Sequence, residues 1–170
     1  GTDTEQRIKE GTSRDTRRAC VSRSEDDGLT WSKPSDITAD VKRPDWTWYA
    51  TGPGCGIQLA SGRLVIPCDH VNRKMQWASH VIYSDDGGQS WRLGGVAGPG
   101  TNECQVAELK DGTLVLNMRT GEPARRTPGP KHRQISTSSD GGLTWTKPRP
   151  DRTLIEPICQ AALVRCPDPE

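Results

Sequence analysis

The chain contains no phenylalanine and only two tyrosines, Tyr49 and Tyr83, and with 31% hydrophobic residues it has little material for a large core. No run of about 18 apolar residues occurs, so no helical membrane span is predicted. The first residues, Gly1-Thr2-Asp3-Thr4-Glu5-Gln6, hold no apolar stretch of the kind a signal peptide needs, and the missing initiator methionine suggests a cut or processed start. Net charge is +1 with lysine and arginine dispersed, which excludes the basic footprint of a nucleic-acid binder. Six cysteines, at 20, 55, 68, 104, 159 and 166, form no C-x-x-C pair and no histidine-rich metal spacing. Fifteen disulfide pairings are formally open, and free thiols buried in strands are the expectation. Neither a metal nor an organic cofactor is predicted. A mean hydropathy of −0.76 leans toward disorder. The 18 glycines and 13 prolines assign that polarity to turns and loops instead.

What is present is a repeat. Ser24-Glu25-Asp26-Asp27-Gly28-Leu29-Thr30-Trp31, Ser84-Asp85-Asp86-Gly87-Gly88-Gln89-Ser90-Trp91 and Ser138-Ser139-Asp140-Gly141-Gly142-Leu143-Thr144-Trp145 share the pattern S-x-D-x-G-x-[T/S]-W. Serine and aspartate hydrogen-bond nearby backbone N–H groups in a turn, and the glycine supplies the positive φ of a tight reversal. The tryptophan tucks its ring beneath the turn and has an N–H to donate. The copies lie roughly 55–60 residues apart, about the length of a four-stranded propeller blade with its loops.

In chain order, residues 1–19 read as a polar loop leading into a strand at Ala19-Cys20-Val21, and 36–48 as a long polar connection. Gly56–Leu59 and Arg63–Pro67 form a hairpin turning at Ala60-Ser61-Gly62, followed by two polar side chains, Asp69 and His70. Ala78–Tyr83 is a strand entering the second repeat. Thr101–Leu109 and Thr113–Arg119 form another hairpin, with Val106, Leu109, Leu114 and Leu116 suited to one buried face. Its short turn brings Glu103 and Arg119 together at the open end, either as a structural ion pair or as part of a site. Residues 121–132 are a loop, Gln134–Thr137 is a strand into the third repeat, and Ile158–Val164 reads as the first strand of a further blade.

The three repeats resemble the Asp-box (BNR) repeats of exo-α-sialidases, or neuraminidases. So, in the right order, do Trp48-Tyr49-Ala50-Thr51-Gly52-Pro53-Gly54, Gly56-Ile57-Gln58-Leu59, Arg63-Leu64-Val65-Ile66-Pro67, Asn102-Glu103-Cys104-Gln105-Val106 and Leu116-Asn117-Met118-Arg119. The resemblance spans nearly the whole chain. It implies an all-β, six-bladed propeller of which about three to four blades fall within residues 1–170. It also implies removal of terminal sialic acid with retention by a tyrosine nucleophile, which a neighbouring glutamate activates. On that resemblance Glu103 is the base, and Arg119 is one of three arginines gripping the substrate carboxylate. Asp15 matches the general acid, while Asp69 and Gln160 match pocket-lining positions. The partners implied are sialylated glycans, on glycoproteins or glycolipids.

The chain departs from the pattern in three places. No F-R-I-P-like run supplies the first clamp arginine, and the third arginine and the tyrosine are expected beyond residue 170. Tyr49 and Tyr83 stand in the wrong places for the nucleophile. A chain holding only part of a propeller is expected to be an internal fragment, poorly stable and inactive alone, because open strand edges remain. Two rival readings share the repeats: a non-catalytic module binding a glycan or protein through its loops, and a structural propeller segment in which Glu103 and Arg119 merely pair with each other.

Overall fold

The computed structural model describes residues 4–122 and 126–166. It is nearly all antiparallel sheet, in three sheets. The first is the short pair β1 (Cys20–Val21) and β2 (Ser35–Asp36). The second runs β3 (Trp46–Thr51), β5 (Leu64–Asn72), β6 (Trp77–Ser84) and β7 (Arg92–Pro99), with β4 (Ile57–Gln58) also bonded to β5. The third runs β8 (Thr101–Glu108), β9 (Leu114–Thr120), β10 (Lys131–Ser138) and β11 (Arg149–Glu156). The long strand β5 pairs with β4 at Leu64 and Val65 and with β3 from Cys68 to Asn72. β3 and β4 therefore lie along the same edge of β5, interrupted by the Gly-Pro-Gly loop.

Each repeat turns between the last two strands of its sheet, and its polar atoms bond inside the turn. In the second copy the Gly88 N–H donates to Ser84 Oγ at 2.7 Å, the Ser84 hydroxyl donates to Asp86 at 2.7 Å, and Asp86 accepts the Ser90 N–H and hydroxyl at 2.9 and 2.5 Å. The Trp91 indole N–H closes the unit on the Gly88 carbonyl at 3.1 Å. Gly88 has φ +82°, a conformation costly for any residue with a Cβ. The first and third copies repeat the serine and aspartate bonds. Their tryptophans differ in burial. Trp91 is 8% exposed within a core cluster and Trp145 packs against the other, whereas Trp31 is 64% exposed and belongs to neither.

Two apolar clusters lie between successive sheets. Val65, Val81, Cys104, Val106, Leu114, Leu116 and Met118 join the second sheet to the third. Ala19, Val41, Trp46, Tyr49, Cys68, Ile82 and Trp91 join the second to the first. Sheets stacked face to face with a core between each pair are the arrangement of propeller blades. Blade contact is close enough to require glycine: a Cβ on Gly95 of β7 would stand 2.7 Å from the Leu143 carbonyl in the third repeat.

Several readings from the sequence are corrected. The stretch before Ala19 is not all loop: α1 (Glu5–Glu10) forms there, capped by the Thr4 hydroxyl at its start and by Gly11 at φ +71° at its end. The 36–48 connection holds a second short helix, α2 (Thr38–Val41). Leu109 is 44% exposed, because it sits at the hairpin turn where the buried face ends. Residues 158–164 form no strand: 162–164 lie across a cavity from β4 and β8 without joining either in a sheet. The cysteines are all free, but only Cys68 and Cys104 are buried. Part of the 121–132 loop, residues 123–125, lies outside the described residues. No helix among the described residues is long and apolar enough to cross a membrane.

Candidate functional site

The hairpin β8–β9 is irregular at its open end. Thr101 pairs with Thr120 and Cys104 with Met118, so Asn102 and Glu103 together oppose the single residue Arg119. Two residues against one make a β-bulge, which re-aims the side chains it carries. The bulge is pinned from the neighbouring sheet: the Ser79 N–H donates to Thr101 Oγ1 at 2.8 Å, and the Ser79 hydroxyl donates to the Asn102 carbonyl at 2.5 Å. Asn102 Oδ1 also accepts the Glu103 N–H at 2.7 Å. Glu103 and Arg119 meet across the bulge, with Nε 3.1 Å from Oε2. That nitrogen is not aligned for a hydrogen bond, so the contact is an ion pair rather than a locked fork.

Glu103 and Arg119 line a cavity of about 280 Å³ together with Asp69 of β5. Asp69 is 3% exposed. Burial, reinforced by the Glu103 charge and opposed by Arg119 and Lys9, pushes its carboxyl up to about 7. The cavity thus holds a carboxylate, a guanidinium and a carboxyl that exchanges its proton near neutral pH, the equipment of acid–base chemistry on an anionic ligand. Trp48 and Trp77 form another wall. The Lys9 ammonium sits 4.9 Å from one ring centre and 4.6 Å from the other while bonding Glu5 on the same helix. The helix bearing it is held to β3 by the Thr47 hydroxyl, which donates to the Lys9 carbonyl at 2.6 Å.

Of the five residues singled out from sequence, three share this cavity: Glu103, Arg119 and Asp69. Gln160 lies one step away, its amide 3.5 Å from the carbonyl of Cys104, the residue after Glu103. Asp15 is not brought to the cavity. It is exposed, pairs with Arg18 at 3.4 Å and lines a different cavity. The Thr16 N–H and the Arg18 charge hold its carboxyl below the usual range, so in this arrangement it is an anion rather than a proton donor. Tyr49 is buried with its hydroxyl on Cys68 Sγ, and burial pushes its phenol far up. Residues that reading the sequence passed over are Glu5, Lys9, Trp48, Trp77 and Asn102. The i,i+4 spacing of Glu5 and Lys9 ahead of Gly11 was the available sign of the helix that delivers two of them. Among the described residues no group of three or more His, Cys, Asp and Glu is arranged to hold a metal ion.

Comparison with known proteins places this geometry in context. The model of the BNR repeat-like domain matches residues 6–165. A sialidase of Bacteroides fragilis is 37% identical over 150 residues, covering 88% of this chain and 26% of that protein. Sialidase-3 of Rattus norvegicus is 38% identical over 170 residues, covering 89% of this chain and 39% of that protein. Among solved structures, the Hadza microbial sialidase Hz136 superposes with a TM-score of 0.78 at 38% identity, over 88% of this chain and 28% of that one. The chain therefore spans well under half the length of the proteins it matches.

Proposed function

Because the chain belongs to the BNR repeat-like domain family and is a sialidase-type propeller module, we propose that it carries the base and one carboxylate-binding arginine of an exo-α-sialidase, a glycoside hydrolase removing terminal sialic acid from glycoproteins or glycolipids with retention. The observation that carries this reading is the Glu103–Arg119 pair across the bulge, inside a cavity shared with Asp69. Arg119 presents a permanent charge to the sugar carboxylate. As that carboxylate takes the guanidinium, Glu103 is released from the ion pair and becomes free to accept a proton from a tyrosine hydroxyl. Neither Tyr49 nor Tyr83 lines the cavity, so the nucleophile in this scheme belongs to another part of the enzyme. Asp69 and Gln160 contribute polar contacts to the bound sugar. Asp15 serves as the acid only if its loop leaves Arg18 and swings into the Glu103 cavity.

The test is turnover of a fluorogenic sialoside by a polypeptide that carries this segment and spans the length of its relatives. Glu103→Gln is expected to lower kcat by about a hundredfold or more, since general-base catalysis is worth that much. Arg119→Lys is expected to act mainly on KM. A folded, glycan-binding product with no Glu103-dependent turnover would replace the enzyme reading with that of a binding module.

A further inference from the structure

The loop after α1, the helix α2 and the turn after β5 enclose a second cavity, of about 400 Å³, that includes none of Glu103, Arg119 and Asp69. Four cationic side chains line it from three separate stretches: Arg14, Lys42 with Arg43, and Arg73. Asp15 is the carboxylate among its lining residues, and its Oδ1 is already paired with Arg18. Among the described residues none of the four cations has a carboxylate within ion-pair distance. The cavity thus holds an excess of positive charge in a chain whose net charge is only +1.

Lys42 shows what that excess costs. It is half-buried, and its ammonium donates to two neutral oxygens, Thr16 Oγ1 at 2.5 Å and the Arg17 carbonyl at 2.8 Å. Burial pushes its pKa down, and the charge of Asp15 only partly opposes this. A desolvated cation bonded to neutral groups alone is stabilised when an anion joins it. Arg43 lies over the Trp46 ring in the cavity wall, 5.5 Å from its centre. Trp46 in turn stacks on His70 at 3.5 Å, and His70 meets His80 through their Nδ1 atoms at 3.1 Å. Burial lowers the pKa of both histidines, and the charge of Arg43 lowers it further, for His80 after the effect of the neighbouring His70. No anion on that side of the wall offsets the Arg43 charge among the described ion pairs.

Guanidinium forks and an ammonium from separate segments suit a compact oxyanion with several acceptor oxygens. A cavity of this volume has room for more than a bare ion and falls within the range of small-molecule sites. We propose that this cavity binds a phosphate or sulfate monoester of a small molecule, with Lys42, Arg43 and Arg73 holding the oxyanion. The proposal does not rest on the activity proposed for the Glu103 cavity; the loop of Asp15 lines this cavity in the arrangement in which Asp15 is paired with Arg18.

Titration calorimetry of the 170-residue chain with inorganic phosphate and, separately, with N-acetylglucosamine 6-sulfate tests this, with ionic strength held constant by chloride. One saturable site is expected. Arg73→Gln is expected to weaken it by about tenfold or more, the loss of one charge-assisted contact. Arg152→Gln, which alters an exposed arginine of β11 outside the cavity, is expected to leave it unchanged. Arg73 is exposed, so it decides the matter even if Lys42→Met proves unstable. Tighter binding of the sulfated sugar identifies the ester as ligand; equal binding identifies the oxyanion alone. No saturable binding of either probe, or equal weakening by Arg73→Gln and Arg152→Gln, overturns the proposal.

Discussion

Asp69 is the side chain whose behaviour differs most from that of the same residue in water. Its carboxyl sits near 7 in the fold against about 3.9 when unfolded, so the folded protein binds the extra proton. The sign follows directly. Burial of Asp69 costs nothing below about pH 4, where both states are protonated, and the penalty grows as pH rises toward 7, where the folded state must give the proton up. Asp69→Asn is therefore expected to stabilise the chain at pH 8, on the order of 2 kcal/mol, and to lose that advantage by pH 4. Melting temperatures of both proteins across that range check it; a constant difference would mean Asp69 does not titrate there. At this scale the sequence was half legible. Glu103 and Arg119 could be brought together because a short hairpin fixes which ends are adjacent. The two-against-one count that turns Glu103 toward its partner could not, since a bulge leaves no local signature in those residues. Lys9 reaches the site across a contact 38 residues apart in sequence, and no local pattern encodes that.

Elements built from local bonds were the ones most readable in advance. The Asp boxes close on themselves within eight residues, so their chemistry was complete in the sequence. Asp26 illustrates their electrostatics: the Thr30 hydroxyl and N–H and the Ser24 hydroxyl hold its carboxyl at about 2. Asp86 is lowered in the same way, chiefly by the Ser90 hydroxyl. A carboxylate depressed in the fold contributes stability above its unfolded pKa and loses it as pH falls through the folded one. With the Asp69 contribution removed by Asp69→Asn, the urea midpoint is expected to hold above about pH 4 and to drop between about pH 4 and 2. In that background Asp86→Asn should show a shallower drop and a lower midpoint at pH 7, since it weakens the acceptor of the Ser84 and Ser90 bonds. A variant as acid-sensitive as that background would show that other groups govern the transition. The helices α1 and α2 escaped notice for the converse reason. At six and four residues they are too short for periodicity to register.

For the whole molecule, the sheets hold together by what lies between them. Leu116 is fully buried in the cluster joining the second and third sheets, whereas Leu109, on the same hairpin, is exposed and outside that cluster. Leu116→Ala is expected to cost about 2–5 kcal/mol, the range for emptying a packed leucine site, and Leu109→Ala close to nothing. Denaturant unfolding separates the two, and equal effects would place the core elsewhere. The repeats implied about three to four blades, and the described residues form three sheets, each closed by one box. The apolar run at 158–164 implied a strand that did not form, because a strand is a property of a pair and its hydrophobicity names no partner. One feature of the cavity wall reaches beyond architecture. Six tryptophans are the chain's fluorophores, and two of them, Trp48 and Trp77, share the Lys9 ammonium. Lifting α1 would change the emission of both at once, so the protein carries its own optical gauge of whether that wall is closed.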